Sequence, residues 1–191
     1  LFNKKNYYGK INICFVGRLE TEKGLELFLS MIISLNNTNK LGTINIVGDG
    51  PMRSKCQDVI NNNNKIDFRL RGWLSREALN EIYYKSHLLI LPSKSEGFPK
   101  VLIEASAYGC VSCVTNLPGI SQYIKHKKNG FLIMGNNKID LLKLLVFILD
   151  NRKLLSNVAK AGVDFSSNFT YSKNNDQIKK NIINNAIKIQ K

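Results

Sequence analysis

The chain has 191 residues, is 43% hydrophobic and 22% charged, and carries 28 Lys+Arg against 14 Asp+Glu for a formal net charge of +14. That length suits one domain, or one with an appendage; the composition excludes a disordered tail, and no apolar run nears the roughly 20 residues needed to cross a bilayer. The charge asks for an anionic partner (nucleic acid, nucleotide, phospholipid or glycan), and it reads equally well as a compositional bias, since Lys far outnumbers Arg and Asn and Ile are abundant.

In chain order, short β-branched runs alternate with helical patterns. Ile11–Val16 reads as a buried strand, followed by a Gly17 loop and a helix over 24–36. Thr43–Val47 is the next strand, ended by Gly48-Asp49-Gly50-Pro51, with Pro51 in the first turn of a helix running to about Ile60. Ile66–Leu70 is a strand, Gly72-Trp73-Leu74 a turn, and Ser75 the N-cap of a helix to Tyr84. Leu88–Leu91 is stopped by Pro92, and Pro99 opens a helix through Tyr108 that Gly109 closes. Val111–Thr115 and Gly130–Ile133 complete the strands. Helices follow over 138–150 and 152–161, and a terminal one from about Tyr171 with Ile178, Ile182, Ile183 and Ile187 on one face. Repeated strand–helix–strand units with buried strands predict an α/β fold: a Rossmann-like, doubly wound parallel sheet. Ligands of such sheets bind at the carboxyl ends of the strands, so the loops Gly17–Lys23, Gly48–Pro51, Arg71–Leu74, Pro92–Pro99 and Thr115–Gly119 are where function is expected.

Four cysteines, Cys14, Cys56, Cys110 and Cys113, are too few for a disulfide scaffold. Cys110 and Cys113 form a C-x-x-C inside a strand, where residues three apart face opposite ways, so no metal site is expected and reduced core thiols are. Arg18 and Lys23, beside Gly17 and Gly24, suit a phosphate, although the spacing is neither a Walker A loop nor G-x-G-x-x-G. Glu96 and Glu104 lie eight apart, about 12 Å along the axis of one continuous helix. A bent loop before Pro99 lets both border one pocket at a helix N-terminus, an arrangement for a sugar–phosphate ligand. An N-capping Glu96 and a merely exposed Glu104 explain the spacing equally well.

Gly17-Arg18-x4-Lys23-Gly24, Val47-Gly48-Asp49-Gly50-Pro51, Gly72-Trp73-Leu74, Leu91-Pro92-Ser93-x2-Glu96-Gly97-Phe98-x5-Glu104-Ala105 and Thr115-x3-Gly119 occur in that order. Over roughly residues 10–165 this resembles the nucleotide-binding C-terminal domain of the retaining GT-B glycosyltransferases called family 4, or group 1, and among them enzymes of lipopolysaccharide and polysaccharide synthesis. The resemblance implies that Arg18 and Lys23 bind the diphosphate of a nucleotide-sugar donor, beside Gly17. It implies that Glu96 contacts the donor sugar beside the Gly97–Phe98 backbone and that Glu104 accepts from the ribose hydroxyls. The Arg71–Leu74 backbone then meets the base, and Trp73 either adds stacking area there or, as the favoured expectation, is a packed structural residue. Val111, Pro118-Gly119 and Gln122 depart from common family residues, which leaves the subfamily open.

On this resemblance residues 1–191 form a single donor-binding domain with a C-terminal helix over 166–191, the acceptor-binding N-terminal domain is absent, and the opening residues, which lack an initiator Met, read as a cut in a longer chain. The implied activity is metal-independent transfer of a hexose, with no cofactor, from a GDP- or UDP-linked donor, mannose from GDP-mannose first, to a lipopolysaccharide, glycolipid or polysaccharide acceptor. The implied place is the cytoplasm, with peripheral contact at an anionic inner membrane face through the +14 charge and Lys125-His126-Lys127-Lys128. A nucleic-acid-binding module is the rival, resting on charge without an RNP motif, zinc finger or interleaved aromatics, and no nucleic-acid partner is expected. A non-catalytic relative of the same fold is the other alternative, opposed by the intact Arg18, Lys23, Glu96 and Glu104.

Overall fold

The computed structural model describes residues 5–97, 99–135 and 137–169; Phe98 and the expected terminal helix from Tyr171 lie outside the described residues. Six strands, β1 (Ile11–Val16), β2 (Leu41–Val47), β3 (Phe68–Gly72), β4 (Leu88–Leu91), β5 (Val111–Thr115) and β6 (Phe131–Ile133), form one sheet in the order β3-β2-β1-β4-β5-β6. Every pairing in it is parallel. This is the expected doubly wound, Rossmann-like sheet. Central strands bury both faces, so β4 is wholly apolar, β1 is apolar except for Asn12, and β5 buries Ser112 and Thr115 beside its apolar residues; Ile13, Phe15, Leu88, Ile90, Cys113 and Val114 are fully enclosed.

Helices α1 (Leu25–Ser34), α2 (Arg53–Asn61), α3 (Arg76–Lys85), α4 (Lys100–Ala107), α5 (Pro118–Ser121), α6 (Lys138–Asp150) and α7 (Arg152–Ser166) connect and cover the strands. α1 packs with α6, and α4 packs with α3 and α7. Right-handed crossovers running in opposite directions from the middle of the sheet put these groups on opposite faces. The chain leaves β1 toward β2 and β3, then returns to β4 on the other side of β1, so the topological switch falls between β1 and β4.

Several boundaries differ from the sequence reading, each for a visible reason. β3 starts at Phe68 because the Ile66 N–H is taken by Asn63 O in the preceding turn. α2 starts at Arg53 because Met52 N–H bonds Leu19 O and Arg53 N–H bonds Gly50 O, so Pro51 stands ahead of the helix. α7 continues through Gly162 to Ser166; the bare Gly162 backbone is buried against Ser106 of α4 and the Asn129 carbonyl. The packed domain also begins before residue 10: Lys5 Nζ donates to Tyr83 O (3.0 Å) and Ser86 O (2.6 Å), and Tyr7 OH donates to Gly109 O at 2.6 Å.

All four cysteines are free and buried. Cys110, just ahead of β5, faces Cys14, with sulfurs 3.8 Å apart. Among the described residues no helix is long and apolar enough to cross a membrane.

Candidate functional site

The loops that follow β1 and β4 carry most of the residues singled out above, and the switch between those strands brings them together. After β1 the chain runs through Arg18 into a 3-10 turn, Thr21–Lys23, and enters α1 at Gly24. Gly24 has φ +72°, and a Cβ there would stand 2.0 Å from Pro92 O, so only glycine lets the first loop press against the fourth. Lys94 N–H donates to Glu22 O at 2.9 Å and closes the same seam. On the other side a Cβ on Gly119 would meet Gly97 O at 2.6 Å, so the loop after β5 leans directly on the Glu96–Gly97 backbone. Gly17 N–H to Val47 O, Leu19 N–H to Asp49 O and Gly48 N–H to Gly72 O extend the ring to the β2 and β3 ends. All five predicted loops therefore form one continuous rim.

Lys23 and Glu96 meet in that rim. Lys23 Nζ is 2.6 Å from Glu96 Oε1, and the side chains are only 26% and 10% exposed. Removing either partner would strand the other charge in a poorly hydrated spot, which sets this pair apart from an ordinary surface bridge. Ser93 Oγ donates to the same Oε1 at 3.1 Å. Glu96 therefore does not cap α4: the N-cap is Pro99, in extended conformation, with no side-chain cap. The bent loop, not the continuous helix, is what the structure has. Glu104 lies in the second turn of α4, half-buried, with Tyr83 OH 3.4 Å from its Oε2. Burial, before the neighbouring Cys14 and Glu104, raises the Tyr83 phenol far above its ordinary range, so Tyr83 is a donor there and not an anion.

The other predicted residues sit further out. Arg18 is on the open rim, its side chain 64% exposed and its Nε 3.4 Å from Glu20 Oε2. Gly17 and Gly97 are unobstructed, with nothing within 4 Å of where a Cβ would stand. Arg71 turns its side chain onto the sheet face, donating from Nε to Asn45 Oδ1 at 3.2 Å in a groove of about 380 Å³ it shares with Arg69, Leu74 and Glu81. Only its backbone belongs to the rim. Trp73 corrects the favoured of its two expectations: it is 74% exposed, not packed, because it follows β3, which is an edge strand among the described residues.

Sequence reading passed over Arg53 and Tyr83, and quoted Ser93 in a motif without giving it a role. Arg53 Nη1 reaches Asp49 Oδ2 at 3.5 Å, i to i+4, and lies the same distance from a Cβ placed on Gly72. The i to i+4 spacing was visible; the approach to Gly72 was not. A cavity of about 510 Å³ lies elsewhere, at the amino ends of the strands, lined by Lys10, Asn12, Thr38 and Lys65. It holds none of the predicted site residues and sits at the opposite end of the strands from where doubly wound sheets bind ligands.

Chemically, the rim offers an ammonium and a carboxylate held together, a second carboxylate backed by a buried phenol, exposed arginines, and an exposed indole. Cations answer phosphate, and carboxylates answer the hydroxyls of sugars.

A family model described as glycosyl transferases group 1 matches residues 2–164. An uncharacterized glycosyltransferase of Methanocaldococcus jannaschii is 27% identical over 173 residues, covering 91% of this chain and 47% of that protein. The UDP-Gal:alpha-D-GlcNAc-diphosphoundecaprenol alpha-1,3-galactosyltransferase of Escherichia coli is 32% identical over 143 residues, 73% of this chain and 36% of that one. The chain thus spans less than half the length of these curated relatives. Among solved structures, the C-terminal domain of a glycosyl transferase group 1 family protein from Francisella tularensis superposes with a TM-score of 0.72 at 20% identity, covering 84% of this chain and 86% of that one.

Proposed function

The chain belongs to the glycosyl transferases group 1 family, and from that premise we propose that it is the donor-binding half of a retaining glycosyltransferase, which takes a hexose from a nucleoside-diphosphate sugar. The observation that carries this reading is the Lys23–Glu96 pair at 2.6 Å, set in the rim where the β1 and β4 loops meet. It puts a cation for the diphosphate and a carboxylate for the sugar within one bond of each other, at the point of the fold where ligands bind.

In the proposed complex Lys23 and Arg18 take the diphosphate, Lys23 as a point charge and Arg18 as a fork. The uncapped N-terminus of α4 adds backbone N–H groups and a favourable dipole. Glu96 receives hydrogen bonds from the sugar and Glu104 from the ribose. The Arg71–Leu74 backbone lies along the base, and the exposed Trp73 supplies a face for it to stack on. During transfer, negative charge grows on the leaving diphosphate, and these cations and dipole stabilise it with no metal ion or cofactor.

The acceptor class we propose is a lipid-linked or polysaccharide glycan, a choice the name of the Escherichia coli relative supports. That name supports a UDP-linked donor over GDP-mannose, the two forms to be separated. Lys125, Lys127 and Lys128, in a net charge of +14, suit an anionic membrane surface around such an acceptor.

The test is calorimetric titration with GDP, UDP, GDP-mannose and UDP-glucose at moderate salt, repeated with Lys23→Ala and Glu104→Ala. Binding of one base in preference to the other, weakened at least about tenfold by each substitution, is the expected outcome. Affinity for none of the four, or affinity indifferent to both substitutions, would overturn the assignment.

A further inference from the structure

Glu96 is held by one oxygen. Lys23 Nζ at 2.6 Å and Ser93 Oγ at 3.1 Å both donate to Oε1, and among the described residues no donor reaches Oε2. Ser93 itself is fully buried. Its backbone is fixed on either side, by Pro92, whose carbonyl abuts Gly24, and by Lys94, whose N–H bonds Glu22 O. The hydroxyl therefore has a set direction, and that direction is the carboxylate.

We propose that Ser93 is a positioning residue for donor-sugar recognition: it keeps Glu96 anchored through Oε1 so that Oε2 is the atom offered to the sugar. The inference rests on the nucleotide-sugar reading given above. Lys23 cannot do this task alone, because an arriving diphosphate competes with Glu96 for its ammonium, whose three N–H donors must then be divided. The Ser93 hydroxyl is neutral and enclosed, out of reach of the phosphates, and stays on the carboxylate while Lys23 turns part of its charge to the ligand. Without it, Glu96 would be freest to rotate at the moment the sugar arrives.

The quantity that isolates this role is the affinity for a nucleotide sugar divided by that for the matching nucleoside diphosphate. Titration calorimetry of the 191-residue chain measures it for wild type, Ser93→Ala, Glu96→Gln and the double variant. Ser93→Ala is expected to lower the ratio about three- to tenfold, the worth of one hydrogen bond to a charged group, with diphosphate affinity changed by no more than about twofold. In the Glu96→Gln background the same change should leave the ratio where it is, because Ser93 acts only through that carboxylate. Ser93→Thr, which keeps the hydroxyl, should restore the wild-type ratio. A general loosening of the loop would weaken both ligands alike, leave the ratio intact and overturn the proposal. So would an equal loss in both backgrounds. Wild-type protein that binds no nucleoside diphosphate would overturn the nucleotide-sugar reading as well; protein that binds the diphosphate but gains nothing from the sugar would overturn the role of Glu96 and, with it, that of Ser93, while leaving nucleotide binding standing.

Discussion

His87 shows how a single side chain away from the candidate site sets a property of the whole protein. It is buried, its Nδ1 accepts from Asn12 N–H at 2.9 Å, and its Nε2 lies 3.0 Å from Asn6 O. The ring therefore carries its one proton on Nε2, and a second would have to sit on Nδ1 facing another N–H. Burial first, then the nearby Lys5 charge, push its pKa from 6.5 down to about 4. Between those values the unfolded chain binds a proton that the folded chain refuses, so stability rises with pH across that window. The contribution is complete above about pH 6.5 and gone below about pH 4, on the order of 3 kcal/mol in all. Urea unfolding at pH 7.5 and pH 5 should therefore show a loss of about 2 kcal/mol at the lower pH that His87→Asn lacks, since Asn keeps an acceptor but does not titrate. Parallel pH dependences in the two proteins would refute this account. Its place just ahead of the Leu88–Leu91 strand was readable, but the hydrogen-bond partners, 75 and 81 residues away, were not.

At the scale of elements, the short turn Thr21–Lys23 and α1 meet at Gly24, and this junction carries a second consequence. Gly24→Ala would put a methyl group on a left-handed backbone and 2.0 Å from Pro92 O, which cannot yield without opening the seam between the β1 and β4 loops. The expected cost is at least about 2 kcal/mol of stability by chemical denaturation. Because Lys23 and Glu96 sit on either side of that seam, nucleotide affinity should fall with it. Gly9→Ala serves as the control: the nearest atom to its Cβ is Asn6 Nδ2 at 3.8 Å, and it should cost little. A Gly24→Ala protein as stable as that control would refute the argument. The strands and their following loops were legible in the sequence because a strand buried on both faces is a run of Ile, Val and Leu that ends in Gly or Pro. Lys23 and Glu96 were legible by motif, but not as a pair, since 73 residues separate them and only the sheet order brings them together. Tyr83 was hidden for the same reason: it comes from α3 to a carboxylate on α4. Trp73 was misjudged because one aromatic beside a Leu looks the same at a sheet edge and in a core; the edge position of β3 decides it.

For the whole molecule, the carboxyl-end rim is open at both edges of the sheet and at Arg18 between them. Trp73, just past β3 at one edge, is 74% exposed, and Met134, just past β6 at the other, is 64% exposed; between them the Arg18 side chain is 64% exposed. Binding a diphosphate asks only for cations and N–H groups, and these can act from an open surface. Transfer asks for more: the acceptor hydroxyl must be held against the anomeric carbon, and water, a competing nucleophile at high concentration, must be kept out. Nothing among the described residues stands over the rim to do either. The chain matches the family over residues 2–164 yet spans 47% and 36% of the two curated relatives, so on the proposed reading the opposing wall belongs to the rest of the enzyme. The 191-residue chain should accordingly bind a nucleotide sugar while neither transferring nor hydrolysing it at a measurable rate. Release of nucleoside diphosphate, followed by a coupled assay with and without a glycan acceptor, tests this directly. Sustained turnover would mean that the rim is a complete active site, and the donor-half assignment would have to be given up in favour of a self-sufficient transferase.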